Sequence, residues 1–131
     1  MEKQINVICG IILDSDKIYC EYDNRDNIYE LWNFISLPAF DLEQGIDLLK
    51  AKVKQKLKAE IVEIEEFVKV PYEQLSIQIV THAYICKIAP DYKIPRSRKA
   101  GFYTIDEISK LRLTPVHHDI FLDYIAMNSK I

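Results

Sequence analysis

Residues 31–62, LWNFISLPAFDLEQGIDLLKAKVKQKLKAEIV, join an apolar aromatic run, a loop carrying Pro38 and a lysine-rich stretch. From Asp47 to Ile61 there is no Gly or Pro, and Leu49, Val53, Leu57 and Ile61 recur every fourth residue. That spacing lines one face of an α-helix. A helix is therefore predicted over 47–61, with Asp47 as its N-cap. Lysines at 50, 52, 54, 56 and 58 cover the remaining faces and outweigh Asp47 and Glu60, leaving the segment at +3. Such lysines are ordinarily a solvated face. Set opposite a second basic segment, they also make an anion site.

Working outward, Leu31–Leu37 reads as a short strand or extended segment that Pro38 ends by removing a donor. Upstream, Ile5–Leu13 is β-branched and apolar on both parities, the pattern of a central strand covered on both faces. Asp14-Ser15-Asp16 is turn chemistry, and Lys17–Tyr22 returns as the second arm of a hairpin. Asp23–Asn27 is a polar loop. Downstream, Ile61–Val70 and Leu75–Ile88 are predicted strands joined around Pro71–Gln74. Ala89–Lys99 is a loop, Ala100–Ile105 a short aromatic strand, and Asp106–Ser109 a helical turn. Ile120, Phe121, Tyr124 and Ile125 then mark a final amphipathic helix. This order predicts an α+β fold, a mixed sheet with helices packed against it.

The bulk figures set limits. With 131 residues, 49% of them hydrophobic, and three Gly, one domain is expected over 1–131. A net charge of −3 gives no global case for nucleic acid or an anionic membrane. Cys9, Cys20 and Cys86 each sit in an apolar run, which suits buried reduced thiols and a cytoplasmic setting. No apolar run approaches the ~20 residues needed to span a bilayer, and Met1–Gln4 lacks the build of a signal peptide.

Several residues together resemble the Nudix family, in its small MutT-like or CTP-pyrophosphohydrolase-like branch. INVICGIIL followed by DSDKIYCEY is similar to its opening hairpin, and ELWNF to its aromatic approach to the catalytic loop. Glu43-Gln44-Gly45 resembles the Glu-x-Gly before its long helix, and GFYTIDEISKLRLTPVHHDIFLDYI its closing strand and helix. The resemblance implies a mixed sheet sandwiched between helices, α/β/α. It also implies a box, Gly-x5-Glu-x7-Arg-Glu-Ile/Leu-x-Glu-Glu-x-Gly, whose glutamates hold Mg²⁺ or Mn²⁺ against a diphosphate.

Two registers fit that box. Without a gap, Lys54-Gln55 and Lys58-Ala59 take the Arg-Glu and Glu-Glu places. The core stripe favours a one-residue shift, because the family buries the Ile/Leu after Arg-Glu and Leu57 is the apolar residue available. Then Asp41 stands at the Gly, Asp47 at the first Glu, Gln55-Lys56 at Arg-Glu, Ala59-Glu60 at Glu-Glu and Val62 at the last Gly. Asp47 and Glu60 remain as vestigial metal residues, and Lys56 stands where a ligand belongs. A further glutamate expected near 94–100 is replaced by basic residues, the segment 93–99 being +4.

A basic concavity of Lys52, Lys56, Arg96, Arg98 and Lys99, with Asp119 near a base pocket by resemblance, is the candidate ligand site. The expected role is therefore a nucleotide- or phosphate-binding, or protein-interaction, module without competent pyrophosphohydrolase activity or cofactor. In the interaction form, Trp32–Phe40 fills the old cleft or makes a homodimer contact. The alternative is a divergent Mg²⁺-dependent hydrolase of (deoxy)nucleoside triphosphates, using Asp47, Glu60 and Glu43 or Asp41. His117-His118 are expected to cap or solvate a helix, His82 to be a hydrogen-bonded sheet residue, and Trp32, Phe34, Phe40, Phe102 and Tyr103 to be core.

Overall fold

The computed structural model describes residues 3–22, 31–95 and 99–128; the loop 23–27 predicted from sequence lies outside them. Strands β1 (Lys3–Asp14) and β2 (Lys17–Tyr22) form the opening hairpin, and β3 (Trp32–Asn33) and β4 (Ile35–Ala39) follow. Helix α1 (Leu42–Leu57) leads to a second hairpin, β5 (Ile61–Gln74) and β6 (Ile77–Ile88). Strand β7 (Ala100–Tyr103), α2 (Ile105–Ile108) and α3 (Pro115–Asn128) complete the order. The sheet runs β3-β2-β1-β6-β5, with β4 on β1 and β7 on β2. Strand β1 pairs parallel with β6 and antiparallel with β2 and β4, so the sheet is mixed.

Strand β1 is covered on both faces, as its two apolar parities require. Ile8 and Ile12 point into a core with Tyr19, Ile35, Leu49, Val53, Leu57 and Cys86, under α1. Cys9 and Ile11 point into the opposite core with Phe34, Ile108, Ile120, Phe121 and Tyr124, under α2 and α3. The result is the α/β/α sandwich.

The approach of α1 to β1 is close, and two of the three glycines make it so. A Cβ on Gly45 would lie 2.3 Å from Ile8 Cγ1, and one on Gly10 would lie 3.1 Å from Leu49 Cδ1. Gly45 and Leu49 are one helical turn apart, and Ile8 and Gly10 share one face of a strand. Each element thus offers a glycine to the other's side chain.

The helix boundaries differ from the predicted 47–61. Asp41, not Asp47, is the N-cap: its carboxylate accepts from Gln44 N at 2.8 Å, while Gln44 Oε1 accepts from Phe40 N at 2.8 Å. Gly45 therefore lies inside the helix, where packing against Ile8 outweighs its poor propensity. The helix ends at Leu57 because Lys58 is left-handed (φ 56°), its N–H donating to Lys54 O. Ile61 begins β5 and reaches the α1-side core from there, not from the helix stripe.

Two prolines are also placed differently. Pro38 lies within β4, opposite Val7, and Pro71 within β5, opposite Val80. Both strands are bonded on one side only among the described residues, the position where a strand tolerates proline. The β5–β6 turn is accordingly Leu75-Ser76 alone, with φ of 51° and 65°. Phe40 is 87% exposed rather than core.

The three cysteines are free and buried. Burial raises all three thiols, Cys20 and Cys86 to about 12, so none is a ready nucleophile. Among the described residues no helix is long and apolar enough to cross a membrane.

Gly45→Ala should destabilise the protein by about 1–3 kcal/mol in urea unfolding, overpacking outweighing a propensity gain of about 1 kcal/mol. Gly101→Ala, whose Cβ meets nothing nearer than 3.4 Å, is the tolerated control. Two consecutive left-handed residues form the turn that Asn-Gly suits best. Leu75→Asn with Ser76→Gly should therefore raise the unfolding free energy by about 1 kcal/mol.

Candidate functional site

The burial pattern of α1 fixes which residues face the sheet and which face outward. Leu49, Val53 and Leu57 are fully buried, confirming three members of the predicted stripe. Lys56, beside Leu57, is carried over the α1-side face of β2. There its ammonium donates to Glu21 Oε1, and both side chains are largely covered, at 15% and 12% exposure. Glu21 shares its strand face with Tyr19, whose hydroxyl donates to Glu21 Oε2 at 2.9 Å. The carboxylate is thus engaged on both oxygens. Beside it Phe102 packs on Tyr19 and Tyr92, with centroids 5.6 and 4.5 Å apart, and the Tyr92 hydroxyl donates to Asp14.

The Ala89–Pro95 stretch closes the end of α1: Ala89 N donates to Glu60 O at 3.0 Å and Lys93 N to Leu57 O at 2.6 Å. Between it and the helix lies a hollow of about 310 Å³ lined by Lys52, Gln55, Lys56, Lys58 and Pro95. Lys58 Nζ donates to Gln55 O at 3.0 Å. Lys54 leaves the group to pair with Glu60 at 2.7 Å, and that carboxylate raises the Lys54 ammonium through a hydrogen bond and its charge.

Of the basic residues named from sequence, Lys52 and Lys56 line this hollow. Arg96 and Arg98 lie outside the described residues. Lys99 is placed apart: its ammonium lies over the Tyr22 ring, 5.3 Å from the centroid. Tyr22 follows Glu21 in the strand and so faces the opposite side of the sheet. Asp119 is exposed on α3.

Asp47 sits in the second turn of α1, and Glu60 follows the helix end. With about 1.5 Å rise per residue, Asp47 lies roughly 15 Å along the axis from the helix end at Leu57. Asp41, Glu43 and Asp47 line a separate hollow of about 340 Å³, where Asp41 is committed to its cap. Among the described residues no three His, Cys, Asp or Glu side chains are grouped to hold a metal ion.

The histidines divide. His82 is hydrogen-bonded within the sheet, Nε2 lying 3.1 Å from Asn6 Oδ1, and burial, aided by Lys69, lowers its pKa. His118 is exposed, whereas His117 neither caps nor solvates the helix. It is buried and stacked on Phe34, and its Nδ1 accepts from Phe34 N at 2.9 Å. That bond occupies a backbone donor that β4 and β3 leave open, and burial pushes His117 down to about 4.

Over 97% of this chain and 92% of the other, the fold superposes on the E. coli ORF135 protein with a TM-score of 0.78 at 19% identity. A MutT structure from Aliivibrio salmonicida or Vibrio cholerae matches with a TM-score of 0.77 at 14% identity, covering 95% and 99% of the chains. The chain has the Nudix fold. The NUDIX domain of Shewanella oneidensis NrtR, solved with ADP ribose, is also similar, with a TM-score of 0.67 at 12% identity over 97% and 88% of the chains. No family model matches the sequence, and no curated protein does.

The residue that sequence reasoning missed is Glu21. A signal was present, since it is the one carboxylate in Lys17–Tyr22 and shares parity with Tyr19, but no local pattern joins it to Lys56.

Lys56→Met strands the Glu21 carboxylate and should cost roughly 3 kcal/mol in urea unfolding, whereas Lys56→Met with Glu21→Gln should recover most of it. For His117, the unfolded chain takes up a proton near the ordinary histidine value of about 6.5 and the folded chain only near 4. Stability should therefore fall by about 3 kcal/mol as pH drops through that window. In His117→Gln the slope should flatten.

Proposed function

We propose that this Nudix-fold chain binds a nucleotide or another small phosphorylated molecule without hydrolysing it, in a cytoplasmic setting. The observation that carries this reading is the Lys56–Glu21 pair. By resemblance, Lys56 takes a place where the family presents a carboxylate to its metal. An ammonium there repels a divalent cation and cannot ligate it. The other acids do not make good the loss. Glu60 is paired with Lys54, Asp47 lies toward the other end of α1, and Glu21 is engaged by Lys56 and Tyr19. Among the described residues no group of three acids or histidines fits Mg²⁺, and Asp41 in the hollow with Glu43 and Asp47 is committed to its cap.

Binding itself is supported by chemistry that the same residues retain. Ammonium groups at Lys52, Lys56 and Lys58 border one hollow, where a phosphate meets donors and opposite charge. The ADP ribose held by the similar NrtR domain is a ligand of that chemical class.

In the presence of Mg²⁺, release of phosphate or diphosphate from a panel of nucleoside triphosphates should stay at the uncatalysed background, while nucleotides raise the melting temperature. Turnover abolished by Glu60→Gln or Asp47→Asn would establish the hydrolase alternative instead.

A further inference from the structure

We infer that the hollow at the C-terminal end of α1 takes a diphosphate group as the free anion, and that a divalent cation on the ligand weakens its binding. This deepens the binding role proposed above and rests on it. The described lining residues, Lys52, Gln55, Lys56, Lys58 and Pro95, carry three ammonium groups and no carboxylate. The neighbouring acids are spent, Glu21 on Lys56 and Glu60 on Lys54. Lys52 makes no hydrogen bond or ion pair with the described residues, so its charge is available.

Magnesium reaches a protein site through oxygen ligands. Among the described residues the hollow offers ammonium donors and the Gln55 amide, and none of those side chains brings an anionic oxygen. A Mg²⁺ ion on the diphosphate would cancel two of the charges that the lysines attract and would approach them with like charge. Lys56 is already balanced by Glu21, so Lys52 and Lys58 supply the uncompensated charge. At about 310 Å³ the hollow is at the small end of ligand pockets and has room for a diphosphate head.

The test is calorimetric titration of the chain with ADP and with inorganic diphosphate, in EDTA and in excess MgCl₂ at matched ionic strength. Binding is expected in EDTA, and Mg²⁺ should weaken it by about threefold or more. Lys52→Ala with Lys58→Asn, the second chosen because Asn tolerates the left-handed cap, should weaken binding in EDTA by about tenfold. Circular dichroism melting verifies that this variant folds. Binding that requires Mg²⁺ overturns the inference while leaving the binding role intact. Binding in EDTA that the double variant leaves unchanged overturns the location, and absence of binding in both media overturns the inference and the role together.

Discussion

The close seating of α1 on β1 is the constraint on which the rest depends. Gly45 lets the helix descend onto Ile8, and Gly10 lets Leu49 descend onto the strand. That reciprocal contact fixes helix height and rotation at once. With Leu49, Val53 and Leu57 driven into the sheet, the residue beside Leu57 must lie at the margin of the contact, above β2. Lys56 is that residue, and Glu21 lies beneath it.

The Lys56–Glu21 pair follows from packing, and its chemistry is conditional on packing. Mutual attraction in a partly desolvated site has to offset the loss of water around both ions, and it succeeds only when remaining lone pairs are also served. The Tyr19 hydroxyl supplies that second contact. The same economy governs the other polar groups near the cores: His117 accepts from a backbone N–H, and the Phe34 ring covers its face. Lys99, by contrast, is drawn onto an aromatic ring on the other side of the sheet. Lys56 and Lys99 are therefore separated by sheet parity.

The edge strand β5 shows how the sheet is terminated. It is 14 residues long and bonded on one side among the described residues, an arrangement that invites pairing with another chain. Register shifts at Ile61/Glu63 and Glu66/Val68, Pro71 in the ladder, and the charges of Glu63, Glu65, Glu66 and Lys69 all make it a poor template. Sequence reasoning took Pro71 for the end of the strand because a proline forbids a central position. The edge removes that prohibition, and the hairpin instead turns at two left-handed residues that no Gly or Asn announces.

By itself the sequence determined what is periodic: the two-faced β1, the hairpins, the Leu49-Val53-Leu57 stripe of α1 and the amphipathic α3, hence the mixed sheet between helices. Periodicity reports burial, and burial is what local pattern encodes. Boundaries and partners were decided by tertiary structure. Asp41 caps α1 because Gln44 clamps back on Phe40, and Gly45 belongs to the helix because Ile8 fills the space above it. The site was decided in the same way. Lys56 was visible as a lysine in an unexpected place, but its partner lies 35 residues away on a strand whose face is set by pleat. No local signal carries that distance, so only the folded sheet could say which carboxylate the ammonium meets.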